Sequence, residues 1–236
     1  MIQFYAPQIE TDPFLPEEES GHCCRVLRMK AGDTIRVTDG RGGLYSCRIK
    51  EANPKHTGLE ILESRKEPSR NYSLTLAVAP TKNADRMEWM VEKAVEIGVD
   101  RIVLLKCDRS ERKNLRTDRL RKIMISAMNQ SLELHLPLLD ELTSIKTFVN
   151  ESGGNSQKFF GYCSEDFPRK ELVKECKAGE DVIVMIGPEG DFSPSEVSMA
   201  VENGFIPVTF GEKRLRTETA GVFAVCAVNI INQLQK

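Results

Sequence analysis

The feature that most constrains the fold of this chain is the apolar run Val182–Ile186, which ends directly in the loop Gly187–Gly190. A continuous apolar strand is typical of a parallel sheet covered on both faces, so this run predicts a central strand. Ligands bind at the carboxyl ends of such strands in open α/β sheets, which makes the loop a candidate site. Its two glycines allow positive φ angles and a close approach of a ligand to the main chain.

The same loop leads into a well-specified helix. Ser193 suits the N-cap, Pro194 the first helical position and Glu196 the third, so the sequence predicts a capping box. Phe192 and Val197 have the spacing of a hydrophobic staple at this helix start. Glycine, proline and serine therefore turn the chain from strand into helix.

Two carboxylates in the loop, Glu189 and Asp191, are not needed for this turn. The loop matches neither G-x-x-x-x-G-K-[ST] nor G-x-G-x-x-G, and its acidic side chains would repel a phosphate. They suit a cation or a hydroxyl donor instead. Taken alone, these residues fit a binding loop and a tight turn equally well.

A second loop of this kind follows the apolar strand Ile206–Phe210. Residues 211–216 (GEKRLR) lead into a helix predicted over Thr217–Gln235, which Thr217 or Thr219 can cap. This helix is apolar nearly all round and must be covered on every side. Packing inside the domain and a dimer interface are both consistent with that pattern.

The second part of the chain predicts an α/β fold with a mostly parallel sheet, because strands alternate with longer helical patterns. The predicted strands are Leu74–Ala79, Ile102–Leu105, Phe159–Tyr162, Val182–Ile186 and Ile206–Phe210. The predicted helices are Asp85–Ile97, Leu115–Asn129, Pro194–Asn203 and Thr217–Gln235.

The first 70 residues predict a separate small β-barrel, because short strands alternate there with turn signals. Its predicted strands are Thr34–Thr38, Leu44–Ile49 and Leu59–Glu63, and its predicted helix is Glu17–Met29. The polar, proline-bearing segment 67–71 marks a domain boundary. Domains are therefore expected at 1–70 and 71–236.

Composition excludes several classes of protein. The sequence lacks both the ~18 consecutive apolar residues of a membrane span and the layout of a signal peptide, which favours a cytoplasmic protein. The seven cysteines contain no C-x-x-C and the three histidines lie far apart. We therefore expect neither a disulfide framework nor a metal site.

Positive charge is concentrated in two blocks of a chain whose net charge is −2. Residues 23–50 contain seven basic and two acidic side chains, and residues 101–122 contain nine basic and three acidic ones. Such blocks favour a polyanion as partner. A solvated helix face explains the charge equally well.

The two loop sequences, GPEGDFSPSE at 187–196 and LRTETA at 215–220, resemble those of the bacterial 16S ribosomal RNA (uracil-3-N)-methyltransferases, a branch of the SPOUT superfamily. The similarity extends over nearly the whole chain. Asp191 departs from the family pattern, which usually has a third glycine there. Further matching segments are His22-x-x-x-Val26-Leu27-Arg28, Lys82-x-x-x-Arg86, 92–99 (EKAVEIGV), Arg109-Ser110, Gln130-Ser131 and Leu136-Pro137.

The resemblance implies a PUA-like RNA-binding barrel followed by a catalytic domain that threads into a trefoil knot, a topology that periodicity does not indicate. It also implies a homodimer that binds S-adenosylmethionine in the knotted cleft and methylates N3 of a uridine in 16S ribosomal RNA or the small ribosomal subunit. The cofactor-binding residues carried over are Tyr162, Ile186, Gly187, Pro188, Glu189, Gly190, Phe210, Gly211, Leu215, Arg216, Thr217 and Ala220.

Methyl transfer from a sulfonium donor needs no metal, only alignment and electrostatic support. Uracil N3 becomes a good nucleophile once it loses its proton. We expect Glu189 to accept that proton and Arg216 to support the resulting anion or orient the substrate. In the alternative interpretation these two side chains pair with each other and only hold the two loops together.

The target base must leave its stack, which requires basic contacts to the flanking backbone. We expect these contacts from Arg25, Arg28, Arg109, Arg112 and Lys113. Two other functions remain open: a SPOUT enzyme acting on a ribose 2′-oxygen or a tRNA guanine, and a non-catalytic RNA-binding or ribosome-assembly protein. The intact LRTETA segment argues against the second.

Overall fold

The computed structural model describes residues 2–111, 117–164 and 167–234. It divides into two compact units. The first contains residues 1–69 and 125–136, and the second contains residues 70–124 and 137–236.

The first unit is built on a four-stranded sheet. Its strands are β1 (Gln3–Tyr5), β2 (Thr34–Thr38), β3 (Gly43–Glu51) and β4 (Gly58–Lys66), paired in that order. β1 is parallel to β2, and the other pairs are antiparallel. Among the described residues this ladder is open between β1 and β4. The helix predicted over residues 17–29 is a short α-helix, α1 (Glu17–Gly21), followed by a π-helical turn at His22–Val26.

Buried residues alternate with less buried ones along β3, and the buried ones form part of the core of this unit. Tyr45, Cys47 and Ile49 are buried, and they pack with inward-facing residues of β1 and β2. The β2–β3 connection is organised by Asp39, whose Oδ1 accepts the amide hydrogens of Arg41 at 2.7 Å and of Gly43 at 2.9 Å. The hairpin of β2 and β3 is thus held by an aspartate of its own turn.

Residues 125–136 belong to the first unit, whereas the sequence placed them in the second domain. The Gln3 Nε2 donates to the carbonyl of Glu133 at 2.7 Å, and the amide of Leu136 donates to the carbonyl of Gly40 at 2.9 Å. Helical periodicity shows which face of a segment is apolar. It does not show which core that face meets, so nothing in the sequence pattern indicated that this segment groups with the first unit.

The second unit contains a seven-stranded sheet in which every pair of described strands is parallel. The strand order is β7-β6-β5-β10-β8-β11-β9. The strands are β5 (Leu74–Val78), β6 (Arg101–Lys106), β7 (Leu138–Ser144), β8 (Gln157–Gly161), β9 (Lys170–Glu171), β10 (Val182–Ile186) and β11 (Ile206–Thr209). The helices of this unit are α2 (Ala84–Ile97), α4 (Ile145–Glu151), α5 (Leu172–Glu175), α6 (Pro194–Glu202) and α7 (Thr217–Leu234). The helix α3 (Thr117–Ser131) begins in this unit, and its residues from 125 onward belong to the first.

The central position of β10 is confirmed. β10 lies between β5 and β8, and four of its five residues are buried, as are all five of β5. Burial on both faces explains why these strands are continuous apolar runs. Periodicity did not reveal β1, β7, β9, α4 or α5, because these elements are short or half-exposed.

Candidate active site

Three loops at the carboxyl edge of the parallel sheet enclose a cavity of about 700 Å³ in the second unit. They follow β8, β10 and β11, which are neighbours in the sheet. Parallel strands end at the same edge, so loops distant in sequence meet there. The start of α7 closes the lining with Thr217, Glu218 and Ala220.

Eleven of the twelve cofactor-binding residues expected from the sequence line this cavity. They are Tyr162, Ile186, Gly187, Pro188, Glu189, Phe210, Gly211, Leu215, Arg216, Thr217 and Ala220. Gly190 lies outside the lining, and its carbonyl accepts a hydrogen bond of 2.8 Å from Nη1 of Arg109. A Cβ on Gly190 would lie 3.4 Å from the Arg109 Cβ, which is an ordinary van der Waals contact, so the packing of Arg109 does not by itself require a glycine here.

A hydrogen bond joins the two glycine-bearing loops. The Thr217 hydroxyl, at the first residue of α7, donates to the carbonyl of Gly187 at 3.1 Å. Thr217 is buried, so little water competes for this bond. The loops at 187–190 and 211–217 thus form one wall of the cavity.

Asp191 connects the β10 loop to the β8 loop. Its φ is 62°, and its carboxylate accepts the amide hydrogens of Phe192 at 2.9 Å and of Cys163 at 3.1 Å. Burial, followed by the Asp191 carboxylate, raises the pKa of the Cys163 thiol. At neutral pH this cysteine is therefore a neutral wall residue and not a nucleophile.

The cavity can accommodate a nucleoside with a charged amino-acid tail. Its volume falls in the range of small-molecule sites. Ile186, Val208, Phe210 and Leu215 supply apolar surface for a purine ring, and the acidic and basic lining residues can bind an ammonium and a carboxylate. A Cβ on Gly161 would lie 2.7 Å from the Phe210 ring, so this glycine allows the ring to lie against the end of β8.

Glu189 and Arg216 both line the cavity, and both are exposed. The Oε1 of Glu189 accepts the amide hydrogen of Lys82 at 3.0 Å, which fixes the carboxylate against the segment before α2. No ion pair between Glu189 and Arg216 occurs among the residues that the structure describes. The alternative in which they only pair with each other therefore lacks support, and their catalytic roles stay predictions.

Several lining residues were not assigned from the sequence. The Nη1 of Arg169 donates to the carbonyls of Tyr162 at 3.3 Å and Cys163 at 3.0 Å, and so supports the β8 loop. Nothing in the sequence pattern pointed to Arg169. Arg86 and Glu218 also line the cavity, and both lie in segments that carried the family resemblance.

The basic residues expected to contact RNA are distributed over both units. Arg25 and Arg28 are exposed on the first unit, and Arg28 has a φ of 56°. Arg109 is exposed on the second unit, where Nη1 is already occupied by the carbonyls of Gly190 and Phe192. Arg112 and Lys113 lie outside the described residues.

Ion pairs neutralise part of the second basic block. Arg101 pairs with Asp140, and the Nη2 of Arg119 lies 2.8 Å from the Oε2 of Glu88. Counting charges along the sequence includes these paired arginines. The positive charge that this block can offer to a polyanion is therefore smaller than the count indicates.

Within the described ranges, no helix is both long and apolar enough to cross a membrane. The same residues contain no group of three or more His, Cys, Asp and Glu side chains arranged to hold a metal ion.

Comparison with known protein families identifies both parts of the chain. A family model described as an RNA methyltransferase domain matches residues 68–229. A second model, described as an RNA methyltransferase PUA domain, matches residues 15–61. The Ribosomal RNA small subunit methyltransferase E of Rickettsia conorii is 26% identical over 208 residues, which cover 87% of this chain and 84% of the relative.

Solved structures agree with these matches. A "probable rRNA-methyltransferase" from Porphyromonas gingivalis is 41% identical, covers 100% of both chains and superposes with a TM-score of 0.94. The Ribosomal RNA small subunit methyltransferase E of Neisseria gonorrhoeae, bound to S-adenosyl methionine, is 25% identical. That alignment covers 98% of each chain with a TM-score of 0.87.

Proposed function

The chain belongs to the RNA methyltransferase family, and from this membership we propose that it transfers a methyl group from S-adenosylmethionine to N3 of a uridine in 16S ribosomal RNA. The observation that carries the proposal is the cavity formed by the 186–190 and 210–217 loops at the carboxyl edge of the sheet. The S-adenosyl methionine bound to the relative from Neisseria gonorrhoeae supports the choice of donor. The names of the relatives support the choice of RNA.

The residues of this chain have three tasks in the reaction. The three loops hold the donor, which supplies an electrophilic methyl group when bound. The apolar wall excludes water from the reacting atoms, which strengthens every electrostatic interaction in the site. In the assignment from the sequence, Glu189 accepts the N3 proton and Arg216 supports the anion. The trefoil knot implied by the family resemblance stays a prediction.

The first unit is proposed to hold the RNA, with Arg25 and Arg28 on backbone phosphates and Arg109, Arg112 and Lys113 contributing from the second unit. The PUA match over residues 15–61 supports this division. A ribosomal substrate, free or in the assembled small subunit, would place the enzyme in the cytoplasm.

We also propose that the enzyme is a homodimer. The otherwise buried helix α7 exposes Phe223, Ile230 and Leu234 along one stripe, with exposed fractions of 36%, 53% and 80%. Apolar side chains at this spacing share one face of a helix. A second copy of the chain would cover that face.

The product nucleoside tests the proposed function. Purified protein, S-adenosylmethionine and 16S RNA or small subunits from a strain lacking the gene are incubated together. The RNA is then digested and its nucleosides identified by mass spectrometry. We expect N3-methyluridine, and we expect calorimetry to detect donor binding. A 2′-O-methylated nucleoside, or methylguanine in tRNA, would contradict the assigned position. Absence of donor binding would indicate a non-catalytic RNA-binding protein.

A further inference from the structure

Two charged residues of the cavity, Arg86 and Glu218, have no role in the reaction described so far. Arg86 lies in the first turn of α2, and Glu218 lies in the first turn of α7. The Nε of Arg86 is 3.6 Å from the Oε1 of Glu218. The Glu218 side chain is 10% exposed and that of Arg86 is 44% exposed. A carboxylate shielded from water is thus joined to a guanidinium that reaches solvent.

Close packing of α2 on α7 sets the position of this pair. Gly221 lies one turn after Glu218, and Met90 lies one turn after Arg86. A Cβ on Gly221 would be 2.7 Å from the Met90 Sδ, so this glycine leaves the space that the Met90 side chain fills between the two helices. The ion pair is therefore positioned by two packed helices rather than by a loop.

A carboxylate beside a guanidinium matches one edge of a uracil ring, which presents an N3–H donor next to carbonyl acceptors. We propose that Glu218 is the catalytic residue that accepts the N3 proton, and that Arg86 positions Glu218 and donates to an adjacent uracil carbonyl. This inference rests on the proposed function. The N3–H bond breaks and its proton moves to the Glu218 carboxylate. N3 bonds to the methyl carbon, and the carbon–sulfur electrons remain on sulfur, leaving a neutral thioether.

Glu189, the acceptor expected from the sequence, is less suited to this step. It is exposed, and its Oε1 is already bonded to the Lys82 amide. Glu218 is instead held between two packed helices, and its side chain is only 10% exposed. The other charged side chains that line the cavity are Arg169, Asp191, Glu212, Lys213, Arg214 and Arg216.

The test compares Glu218→Gln with Glu202→Gln, which makes the same charge change at an exposed position of α6. At saturating donor we expect methyl transfer by Glu218→Gln to fall by about 10²–10⁴-fold, the range of general-base catalysis. Transfer by Glu202→Gln should match the wild type. Donor affinity, measured by calorimetry without RNA, should stay within about threefold of the wild type in both variants, because the pair faces the base in this proposal.

The pH dependence of the rate separates proton acceptance from a structural role. In Glu218→Gln, solvent must remove the N3 proton, so the rate should rise by up to about tenfold per pH unit between about pH 7 and 9. The wild-type rate should be flatter over the same interval. Arg86→Gln should lower kcat and raise KM for RNA, and Arg86→Lys should restore part of both. If Glu218→Gln melts far below the wild type, Glu218→Asp replaces it in the rate and donor-affinity measurements. Because its carboxylate is withdrawn by one methylene, the rate should fall while donor affinity stays unchanged.

The outcomes distinguish the two proposals. A wild-type product other than N3-methyluridine overturns the proposed function, whatever Glu218 does. Suppose that the wild type makes N3-methyluridine. The assignment to Glu218 is then wrong if Glu218→Gln keeps the wild-type turnover. It is also wrong if Glu218→Gln loses donor affinity by the same factor as it loses rate. If Glu189→Gln shows the rate loss and the steeper pH dependence instead, Glu189 is the acceptor.

Discussion

Asp191 shows how one residue can connect two loops of a site. Its φ of 62° lies in the left-handed region, which aspartate tolerates better than most residues with a side chain. A glycine would adopt the same backbone conformation with less strain, but it would supply no carboxylate to accept the Cys163 amide hydrogen. The side chain therefore connects the β8 and β10 loops across the edge of the cavity.

Glu19, in the first unit, should titrate close to neutral pH. Burial raises the pKa of its carboxyl from 4.5 to about 7. Hydrogen bonds from the Tyr5 amide at 3.1 Å and from Nδ2 of Asn129 at 3.3 Å lower it by less. The folded state then binds the proton more tightly than the unfolded state. The protonated Glu19 therefore contributes up to about 3 kcal/mol to the free energy of unfolding. This contribution is fully present below about pH 4.5 and is lost as the pH rises through about 7.

Glu19→Gln should flatten this dependence and make the first unit more stable than the wild type at pH 8. Carbon-detected NMR of the glutamate side chains measures the titration directly. Urea unfolding of both proteins at about pH 5 and pH 8 measures its effect on stability. Titration of Glu19 near 4.5, or equal pH slopes in the two proteins, would contradict the prediction.

At the scale of the element, the helix α6 was specified completely by local sequence. The capping box between Ser193 and Glu196 and the proline at the helix start are present as predicted. The tertiary structure adds a second use of Glu196: its Oε2 accepts the Ser193 amide hydrogen at 2.8 Å, and its Oε1 accepts that of Asp108 at 2.8 Å. One carboxylate thus caps α6 and binds the segment after β6.

Glu196→Gln should be destabilising, because its NH₂ group must face one of these two amides. Glu196 is 4% exposed, and leaving a buried donor without an acceptor costs about 1–3 kcal/mol in the free energy of unfolding. Glu202→Gln, at the exposed end of the same helix, should change little. Urea unfolding followed by the fluorescence of Trp89, the single tryptophan, measures both. If both variants lose the same free energy of unfolding, the effect comes from the change in charge alone and the prediction is wrong.

At the scale of the whole molecule, we expect the apolar stripe of Phe223, Ile230 and Leu234 on α7 to form the interface of the proposed dimer. Ile230→Asp should convert a dimer into a monomer, because a dimer interface cannot desolvate an unpaired carboxylate without a cost of several kcal/mol. Val201→Asp, which replaces a 38% exposed residue of α6, is the matched control and should remain dimeric. Sedimentation equilibrium measures the mass of each. A wild-type protein that sediments as a single chain would refute the dimer.

The sequence by itself determined the parallel sheet, the central strand β10, the capped helix α6 and the two loops of the cavity. These features follow from local periodicity and turn chemistry. Both depend on residues close together in sequence, so they can be predicted from the sequence alone. Only the tertiary structure showed that residues 125–136 group with the first unit and that ion pairs neutralise part of the second basic block. It also showed that Arg109 and Glu189 form hydrogen bonds with main-chain groups, and that Arg86 forms an ion pair with Glu218. Each of these depends on groups brought together from distant parts of the chain, and a contact of that kind leaves no periodic signal in either of the segments that make it.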